Sequence, residues 1–450
     1  MKPSNTLQSR RRFLQSAAAS VSSVAVGPFI LKGQGSPNQK LQHASFGANG
    51  MAGTDLRAIA RHPDVQLVAV ADVDLARAKP VMMEFPEVRV YQDYRELLEK
   101  EGDKIDCCNV SIPDHMHATV TMSAMNQGKH CYTQKPLTHD VYEARRLKAI
   151  ATEKGLMTQM GTQLASSTPD MTIEKWVQAG VAGKIKEVHT FSHKTWGDTS
   201  PIPKDRKDEV PATLNWDIWN GLVDPVTYIH GYYHPSQWRK RIPFGTGTLG
   251  DMGCHMFNGW FRALDLTAPQ SIRSAGPAPG DNWAIDGEIH YTFPGNKFTA
   301  GKTIEVTWYD GAKRPPAEIV ALLGEKFPKQ GSVYVGEEGI LVHPHGGTVQ
   351  FFKNGKPADA GQEMVKGSSG DHWKEFVDSI LDRTEGKKPK SNFDFAGPMS
   401  ETVLLGNVAS FYPGEELVWD AKNMSFPGKP DANQHVRRTP RKGWKIKGLG

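Results

Sequence analysis

Apolar and polar positions follow two different patterns along the chain, and the change falls near residue 163. Before that point, short apolar runs of strand length alternate with segments whose apolar residues recur at helical spacing. Such alternation predicts βα units and a parallel sheet. The predicted strands are residues 66–71, 105–112, 130–133 and 157–160, and the predicted helices are residues 55–61, 117–127 and 140–154.

After residue 163 the apolar runs are separated by Gly-rich and Pro-rich turns, which predicts an open, mainly antiparallel sheet. Its predicted strands are residues 185–196, 286–293, 297–308 and 331–341, and two late helices are predicted at 372–382 and 398–409. Residues 197–250 are aromatic and rich in proline, and a loop of this length in a compact domain is usually functional. The fold class is therefore α/β, with two differently built domains.

The first 35 residues are predicted to form a signal region. Residues 9–15 read Ser-Arg-Arg-Arg-Phe-Leu-Gln, the pattern of a twin-arginine export signal. The apolar stretch at 17–30 is too short and too polar to span a bilayer, which needs about 20 apolar residues. We therefore predict a periplasmic protein without a stable membrane span, exported by the twin-arginine (Tat) machinery. Because that pathway moves folded proteins, any cofactor of this protein is expected to be loaded before export and tightly bound.

Charge argues against nucleic acid as a partner. The formal net charge is +5, and all five excess cations precede residue 33, so the remainder has 49 basic and 49 acidic residues. The basic cluster in residues 431–450 is interpreted as a solvated tail. Four cysteines do not make a disulfide framework, and their spacing does not suggest zinc, so no metal site is predicted.

Residues 47–53, Gly-Ala-Asn-Gly-Met-Ala-Gly, occupy a predicted strand-to-helix turn. In the dinucleotide register G-x-G-x-x-G/A, Gly47 takes the first position, Asn49 replaces the central Gly and Ala52 takes the last. Gly50 and Met51 complete a turn whose backbone can approach a pyrophosphate. Asn49 tolerates a left-handed backbone better than most residues, so the turn is expected to survive the replacement.

Asp72 follows the next strand, 20 residues after Ala52, where an acid holds the hydroxyls of the adenosine ribose. That acid repels a 2′-phosphate, so NAD is favoured over NADP. Arg77 and Lys79 lie close by in the sequence and leave NADP open.

Six short motifs extend the pattern over most of the chain. They are Ser-Ile-Pro-Asp-His-Met-His at 111–117, Gln-Lys-Pro at 134–136, Met-Gly-Thr-Gln at 160–163, Gly-Asp-Met-Gly-Cys-His at 250–255, Asp-His-Trp-Lys-Glu-Phe at 371–376 and Ser-Asn-Phe-Asp-Phe-Ala-Gly-Pro at 391–398. With them the sequence strongly resembles the Gfo/Idh/MocA oxidoreductases, the last two motifs resembling their exported bacterial branch.

The resemblance implies an NAD(P)-binding Rossmann domain at residues 41–165 and a substrate domain at 166–430. The sheet of the second domain would form the floor of a sugar site and often an interface between copies, so a homo-oligomer is expected. Beyond the turn, the implied cofactor-binding residues are Pro113, His115, His117, Lys135 and Gln163. For the two histidines, a purely structural role at a strand end stays open.

Lys135 is the first candidate for catalysis. It follows a short strand at the carboxyl end, where open α/β sheets place their ligands. Oxidation of an alcohol sends hydride to nicotinamide and the hydroxyl proton to a base, and a lysine can polarise the oxygen. The motif in the resembled family is usually Glu-Lys-Pro, so Gln134 leaves the tuning of proton transfer open.

Asp251 and His255 form the second constellation, since i,i+4 spacing places both on one helix face. The resemblance implies substrate and proton-transfer roles for such a pair. His255 is assigned as a general base with Lys135, and Asp251 as its orienter or as a hydroxyl ligand. A helix cap beside a packed histidine is the structural alternative.

Aromatic and polar residues before residue 250 are predicted to form the substrate walls, because aromatic faces stack on sugars while hydroxyls need polar ligands. The candidates are Tyr233, His234, Trp238 and Arg239. The predicted function is NAD(P)-dependent oxidation of a hydroxyl on a sugar, polyol or glycoside. The alternative is a redox-neutral glycoside hydrolase or lyase that works through a transient keto-sugar with retained NAD. A non-enzymatic sugar-binding role is the third hypothesis.

Overall fold

The computed structural model describes residues 40–322, 324–366 and 371–449. The twin-arginine segment and the rest of the predicted signal region lie outside the described residues. Within the described ranges, none of the helices has both the length and the apolar character needed to cross a membrane.

The first domain is built on a six-stranded sheet in the order β3-β2-β1-β4-β5-β6, with every neighbouring pair parallel. This is the strand order of doubly wound nucleotide-binding folds, in which ligands bind where the order reverses, here between β1 and β4. Its strands are β1 (Leu41–Phe46), β2 (Val65–Ala71), β3 (Arg89–Tyr91), β4 (Cys107–Val110), β5 (His130–Thr133) and β6 (Thr158–Met160). Its helices are α1 (Met51–Ala60), α2 (Leu75–Glu84), α3 (Tyr94–Glu101), α4 (Asp114–Asn126) and α5 (Val141–Glu153). The predicted parallel sheet is confirmed.

The second sheet has nine strands in the order β14-β13-β12-β11-β7-β10-β9-β8-β15. Among the strands of this sheet that the structure describes, only β7 and β10 pair in parallel, so the predicted open and mainly antiparallel sheet is confirmed. The strands are β7 (Ile185–Ser192), β8 (Ser271–Gly276), β9 (Glu288–Pro294), β10 (Thr303–Asp310), β11 (Gln330–Gly336), β12 (Ile340–Pro344), β13 (Gln350–Lys353), β14 (Lys356–Pro357) and β15 (Glu416–Val418).

One predicted strand of this sheet is wrong. Residues 331–341 were expected to form a single strand, but the chain reverses after Gly336 and returns as β12. Val333 lies opposite Val342 and Tyr334 opposite Leu341, so two short apolar runs face each other across a polar turn. A continuous apolar run and a tight hairpin share the same period-two pattern, and only the pairing distinguishes them.

Two long buried helices join the sheets. The helices of this part are α6 (Thr168–Gln178), α7 (Trp216–Asn220), α8 (Gly247–Ala263), α9 (Ala317–Ala321), α10 (His372–Ile380) and α11 (Phe393–Ser410). Helix α8 is buried along most of its length and packs against α6 and α11. Apolar residues of both sheets belong to one continuous core with these helices, which fixes the end of α8 that carries Asp251.

The aromatic loop forms a segment, residues 208–246, that we name the strap. It reaches from the second domain back to the carboxyl ends of the first sheet. Leu75 N donates to Thr213 O (3.0 Å), and Asn215 N donates to Val73 O (2.8 Å). The strap therefore closes over the edge where a dinucleotide would lie.

The prediction of a solvated basic tail is wrong, because residues 436–449 pack on the first domain. Arg438 Nη2 donates to Glu143 Oε1 (2.8 Å) and to the carbonyl oxygen of His115 (2.6 Å). Trp444 is buried. Two cations of the cluster, Arg438 and Arg441, have acidic partners far along the chain, whereas Lys442, Lys445 and Lys447 are exposed.

Candidate active site

The dinucleotide turn joins β1 to α1, which begins at Met51. Gly47 (φ 99°) and Gly50 (φ 59°) hold its left-handed positions. At Gly47 a Cβ would lie 2.6 Å from Ser111 O and 2.8 Å from the Cβ of Ala52, so only glycine fits. Asn49 has no positive φ, which corrects the expected reason for its presence. Its side-chain Oδ1 accepts from Gly50 N (2.6 Å) and so stabilises the turn locally.

Asp72 stands directly after β2, at the predicted ribose position. Its carboxylate accepts from Ala48 N (2.9 Å) and from Asp74 N (3.0 Å). Burial raises the pKa of Asp72 to about 6, against these hydrogen bonds, so the group is ionised at neutral pH. Of the two cations considered for NADP, Arg77 faces the same space, whereas Lys79 is exposed.

A cavity, named here the cofactor cavity, lies between this turn and the strap. Among the predicted cofactor residues it is lined by Gly47, Asn49, Gly50, Met51, Asp72, Pro113, His115, His117 and Lys135. Two others do not reach its wall: Ala52 is buried behind the turn, and Gln163 opens a short 3-10 turn after β6.

The strap contributes the opposite wall. His234, Trp238 and Arg239 line the cavity as predicted substrate-side residues, together with Trp219. Tyr233 does not line it, since the residue is buried among the aromatic rings of the strap. Its ring centroid lies 5.5 Å from that of Phe244 in an edge arrangement, a packing role that local sequence does not distinguish from a binding role.

Lys135 meets Asp251 at the carboxyl end of β5. Its Nζ donates to Asp251 Oδ1 (2.7 Å) and to the carbonyl oxygen of Asp251 (2.9 Å), and Arg239 Nε donates to Oδ1 as well (3.1 Å). Burial by itself raises the pKa of the Asp251 carboxyl. The charges of Lys135 and Arg239 outweigh burial, so that pKa lies well below its ordinary value. Asp251 is therefore a permanent anion that holds two cations at the cavity.

His255 lies one helical turn after Asp251, but the structure does not give Asp251 the orienting role. In the part of the chain that the structure describes, no hydrogen bond joins their side chains, and the Nδ1 atom of His255 is buried without a partner. The ring centroid of His345 lies 5.3 Å from that of His255. Burial and then the nearby Lys135 charge hold the pKa of His255 well below its ordinary value, so the imidazole is neutral at pH 7.

Backbone carbonyl oxygens lie within hydrogen-bond distance of the ring nitrogens of the other two predicted histidines. His115 Nε2 lies 2.9 Å from Trp219 O, and the ring nitrogens of His117 lie 2.7 Å from Pro136 O and Ile112 O. Burial lowers the pKa of His115 to about 3 and that of His117 to about 4. Both rings border the cofactor cavity. A neutral imidazole has one N–H, so each ring donates to one carbonyl oxygen and holds one of the loops that form the cavity.

Sequence reasoning missed two buried carboxyl groups. Asp114, at the start of α4, lines the cavity and accepts from Thr246 Oγ1 (2.7 Å), and burial raises its pKa to about 7. Asp55, on α1, contacts Gln134 beside Lys135. Asp114 stands inside the quoted motif at 111–117, and an acid on the apolar face of α1 was the available signal for Asp55.

Comparison with known proteins agrees with this geometry. Residues 42–162 match the family model described as the oxidoreductase family with NAD-binding Rossmann fold (GFO_IDH_MocA). The chain is 21% identical over 234 residues to a scyllo-inositol 2-dehydrogenase (NADP(+)) of Bacillus subtilis, covering 51% of this chain and 54% of the relative. It is 31% identical over 146 residues to a dTDP-3,4-didehydro-2,6-dideoxy-alpha-D-glucose 3-reductase of Actinomadura kijaniata, covering 32% and 43%. The chain thus spans about half or less of the length of these curated relatives.

Solved structures extend the likeness to the second domain. The WlbA dehydrogenase from Chromobactrium violaceum, in complex with NADH and UDP-GlcNAcA, matches with a TM-score of 0.62 at 14% identity, over 89% of this chain and 99% of that one. The aldose-aldose oxidoreductase from Caulobacter crescentus matches with a TM-score of 0.58 at 15% identity, over 84% and 100%. At these identities the likeness shows the fold. Residues 42–162 therefore match the NAD-binding Rossmann fold of the GFO_IDH_MocA oxidoreductase family, and the mixed-sheet domain that follows shares the fold of these solved structures.

Proposed function

We propose that the protein is an NAD-dependent oxidoreductase that oxidises a hydroxyl group of a sugar, polyol or glycoside. The observation that carries this proposal is the meeting of Lys135, Asp251 and Arg239 at the edge of the cofactor cavity. A charged cluster held at the carboxyl end of a parallel strand is where this fold class places reacting groups. Bound NAD supplies the hydride acceptor.

The charges assign different tasks to Lys135 and His255. Lys135 Nζ donates to the carboxylate and to the carbonyl oxygen of Asp251, so we assign it as the hydrogen-bond donor that polarises a hydroxyl oxygen. We assign His255 as the group that takes the hydroxyl proton, because its imidazole is neutral and its buried Nδ1 atom has no hydrogen-bond partner among the described residues. This division makes Lys135 the electrophile and His255 the base, and it replaces the shared base role expected from sequence.

Substitution of each residue tests the assignment. NADH formation is followed by its absorbance with myo-inositol, glucose and methyl glucosides as probes, in wild type, Lys135→Met and His255→Asn. We expect kcat to fall by about 10²–10⁴-fold in both variants. Lys356→Met, an exposed lysine on β14, is the matched control and should retain wild-type kcat. Wild-type turnover in Lys135→Met would refute the proposal.

The strap favours a second candidate, in which NAD is retained and the hydride returns to the substrate. At the end of the cofactor cavity where the adenosine would lie, Gln92 Nε2 donates to Thr213 O (2.9 Å), and His234 Nε2 lies 3.3 Å from Asp74 Oδ2. At the other end, His115 N donates to the Phe244 carbonyl (3.2 Å). A dinucleotide under this segment leaves only after some of these contacts open, which supports slow exchange and redox-neutral cleavage of a glycoside.

Cofactor release distinguishes the two candidates. The purified protein is examined for bound nicotinamide by mass spectrometry, and NADH release is followed by fluorescence in wild type, His234→Ala and the exposed strap control His230→Ala. Retention predicts NAD in the purified protein, faster release only in His234→Ala, and cleavage of nitrophenyl glycosides without added NAD. Stoichiometric consumption of added NAD would leave the dehydrogenase as the function.

We also propose that the protein acts in the periplasm after export by the Tat machinery. Support comes from the twin arginines of residues 9–15 and from the balanced charge of the rest of the chain. Cell fractionation of the full chain with Arg11 and Arg12 changed to Lys provides the test. Export of that variant at the wild-type level would overturn this part of the proposal.

A further inference from the structure

Asp55 is a buried acid below the dinucleotide turn, and donors surround its carboxyl group. Its side chain is fully buried on α1. Ser111 Oγ (2.7 Å) and Gln134 Nε2 (2.9 Å) donate to Oδ2, and Trp373 Nε1 (2.9 Å) donates to Oδ1. An indole N–H and an amide NH₂ can only donate, so the network is satisfied by an ionised carboxylate. Burial raises the pKa of Asp55 to about 6, which still leaves it charged at neutral pH.

This carboxylate sets the orientation of the Gln134 amide. Because the amide nitrogen is bound to Asp55, the amide oxygen turns the other way and accepts from Lys135 N (3.2 Å). The glutamine cannot easily rotate elsewhere, since Gly161 packs so closely that a Cβ there would lie 2.6 Å from its amide carbon. The chain thus runs from Asp55 through Gln134 to the backbone of Lys135.

The same geometry accounts for the departure from Glu-Lys-Pro. A glutamate at position 134 would place a second carboxylate against Asp55 within hydrogen-bond distance, and two buried like charges repel strongly. An amide is the complement of a carboxylate here. The carboxylate that position 134 lacks is therefore present in the fold, on helix α1.

We propose that Asp55 is a positioning residue for Lys135, acting through the Gln134 amide. It also holds Ser111, so one carboxylate orients two polar side chains that line the cofactor cavity. The inference rests on the proposed function only for the role of Lys135 in turnover. The positioning itself concerns this chain's own residues and can be measured without substrate.

The test is a reciprocal exchange of the acid and the amide. Asp55→Asn, Gln134→Glu and the double variant are compared with wild type and with Trp373→Phe, which removes a donor from the other carboxylate oxygen. Hydrogen–deuterium exchange of the peptide containing the Lys135 amide is measured on the protein without substrate. The kcat and KM for NAD reduction are measured with the best probe alcohol.

We expect kcat of both single variants to fall at least tenfold, while KM for the alcohol changes less than threefold. In both, hydrogen–deuterium exchange of the peptide that contains Lys135 should be faster than in wild type. The double variant restores one carboxylate and one amide, so it should recover kcat to within threefold and regain slow exchange. Trp373→Phe should melt earlier but keep wild-type kcat and exchange at Lys135.

Two results would overturn the inference. One is a folded double variant no better than the worse single variant in both readouts. The other is wild-type exchange and kcat in Asp55→Asn. If the singles do not fold, the double variant still decides the matter, because it preserves the charge count and the hydrogen bond. If wild type oxidises none of the probe alcohols, the proposed function fails while the exchange measurement still tests positioning.

Discussion

Replacing Asp251 with Asn isolates the charge that holds the Lys135 side chain. The variant keeps the shape of the side chain and the backbone carbonyl that Lys135 contacts, but it leaves Lys135 and Arg239 as adjacent cations. Both Lys135 and Asp251 are only 13% exposed in their side chains, so water screens the pair poorly. Removing one partner of a buried ion pair costs about 3–5 kcal/mol. We expect a loss near the lower end, about 3 kcal/mol at pH 7, because the carbonyl contact remains.

The pH dependence has a definite sign. The folded-state pKa of Asp251 is lowered, so its stabilisation is complete above the unfolded value of about 3.9 and disappears as the pH falls below it. The difference in unfolding free energy between wild type and Asp251→Asn should therefore stay constant from about pH 5 to 8 and shrink below about pH 4.

Urea titrations of the cofactor-free protein, followed by tryptophan fluorescence, measure the loss in unfolding free energy at pH 7 and its dependence on pH. A double-mutant cycle with Lys135→Met separates the pair from other effects of either substitution, and coupling of 0.5–3 kcal/mol is typical of residues in contact. A loss under about 1 kcal/mol, typical of an exposed ion pair, would refute the description of Asp251 as a buried counter-ion. Zero coupling in the cycle would refute it equally.

Three further predictions use other parts of the structure. Gly50→Ala should lower the free energy of unfolding by about 1–2 kcal/mol through backbone strain alone. Gly47→Ala should lower it more, because its Cβ would also meet Ser111 O, so equal melting temperatures of the two variants would contradict this reasoning. Arg438→Ala should destabilise the protein by about 3 kcal/mol, because it leaves Glu143 without its ion-pair partner. Residues 436–449 should then become sensitive to proteolysis, and a terminus that stays protease-resistant would count against this. Burial raises the pKa of Asp114 to about 7, so its protonated carboxyl contributes stability fully below the unfolded pKa of about 3.9, and this contribution is lost as the pH rises to the folded value. The stability of wild type relative to Asp114→Asn should therefore fall between about pH 4 and 7 and level off above, and a difference that does not change with pH would disprove the shift.

Local sequence was sufficient for features that depend on neighbours along the chain. The strand at 130–133 and the helix at 140–154 follow from apolar spacing, and α5 begins at the cap Asp140 as such a helix should. The dinucleotide turn follows from residues 47–53, because two left-handed positions in a short turn require glycine. Even there, the sequence assigned the second left-handed position to Asn49, since the pattern does not report φ.

Features that depend on distant partners were decided by the tertiary structure. Arg438, near the C-terminus, has acidic partners at Asp140 and Glu143, about 300 residues earlier, which no window of sequence contains. Asp251 was paired with His255 in sequence because the two share a helix face. In the fold Asp251 contacts Lys135, 116 residues away, because the carboxyl end of β5 meets the start of α8.

The sequence by itself determined the α/β class and the nucleotide turn, since both depend on local spacing and residue type. Lys135 became a candidate through its place after a strand together with the family resemblance of the surrounding motif. Only the tertiary structure decided which partner each charged group has. Asp55 supplies the anion that position 134 lacks, Asp251 neutralises Lys135, and the strap closes the cavity. The physical reason is that burial and Coulomb interactions depend on distance in space, which the order of residues along the chain does not specify.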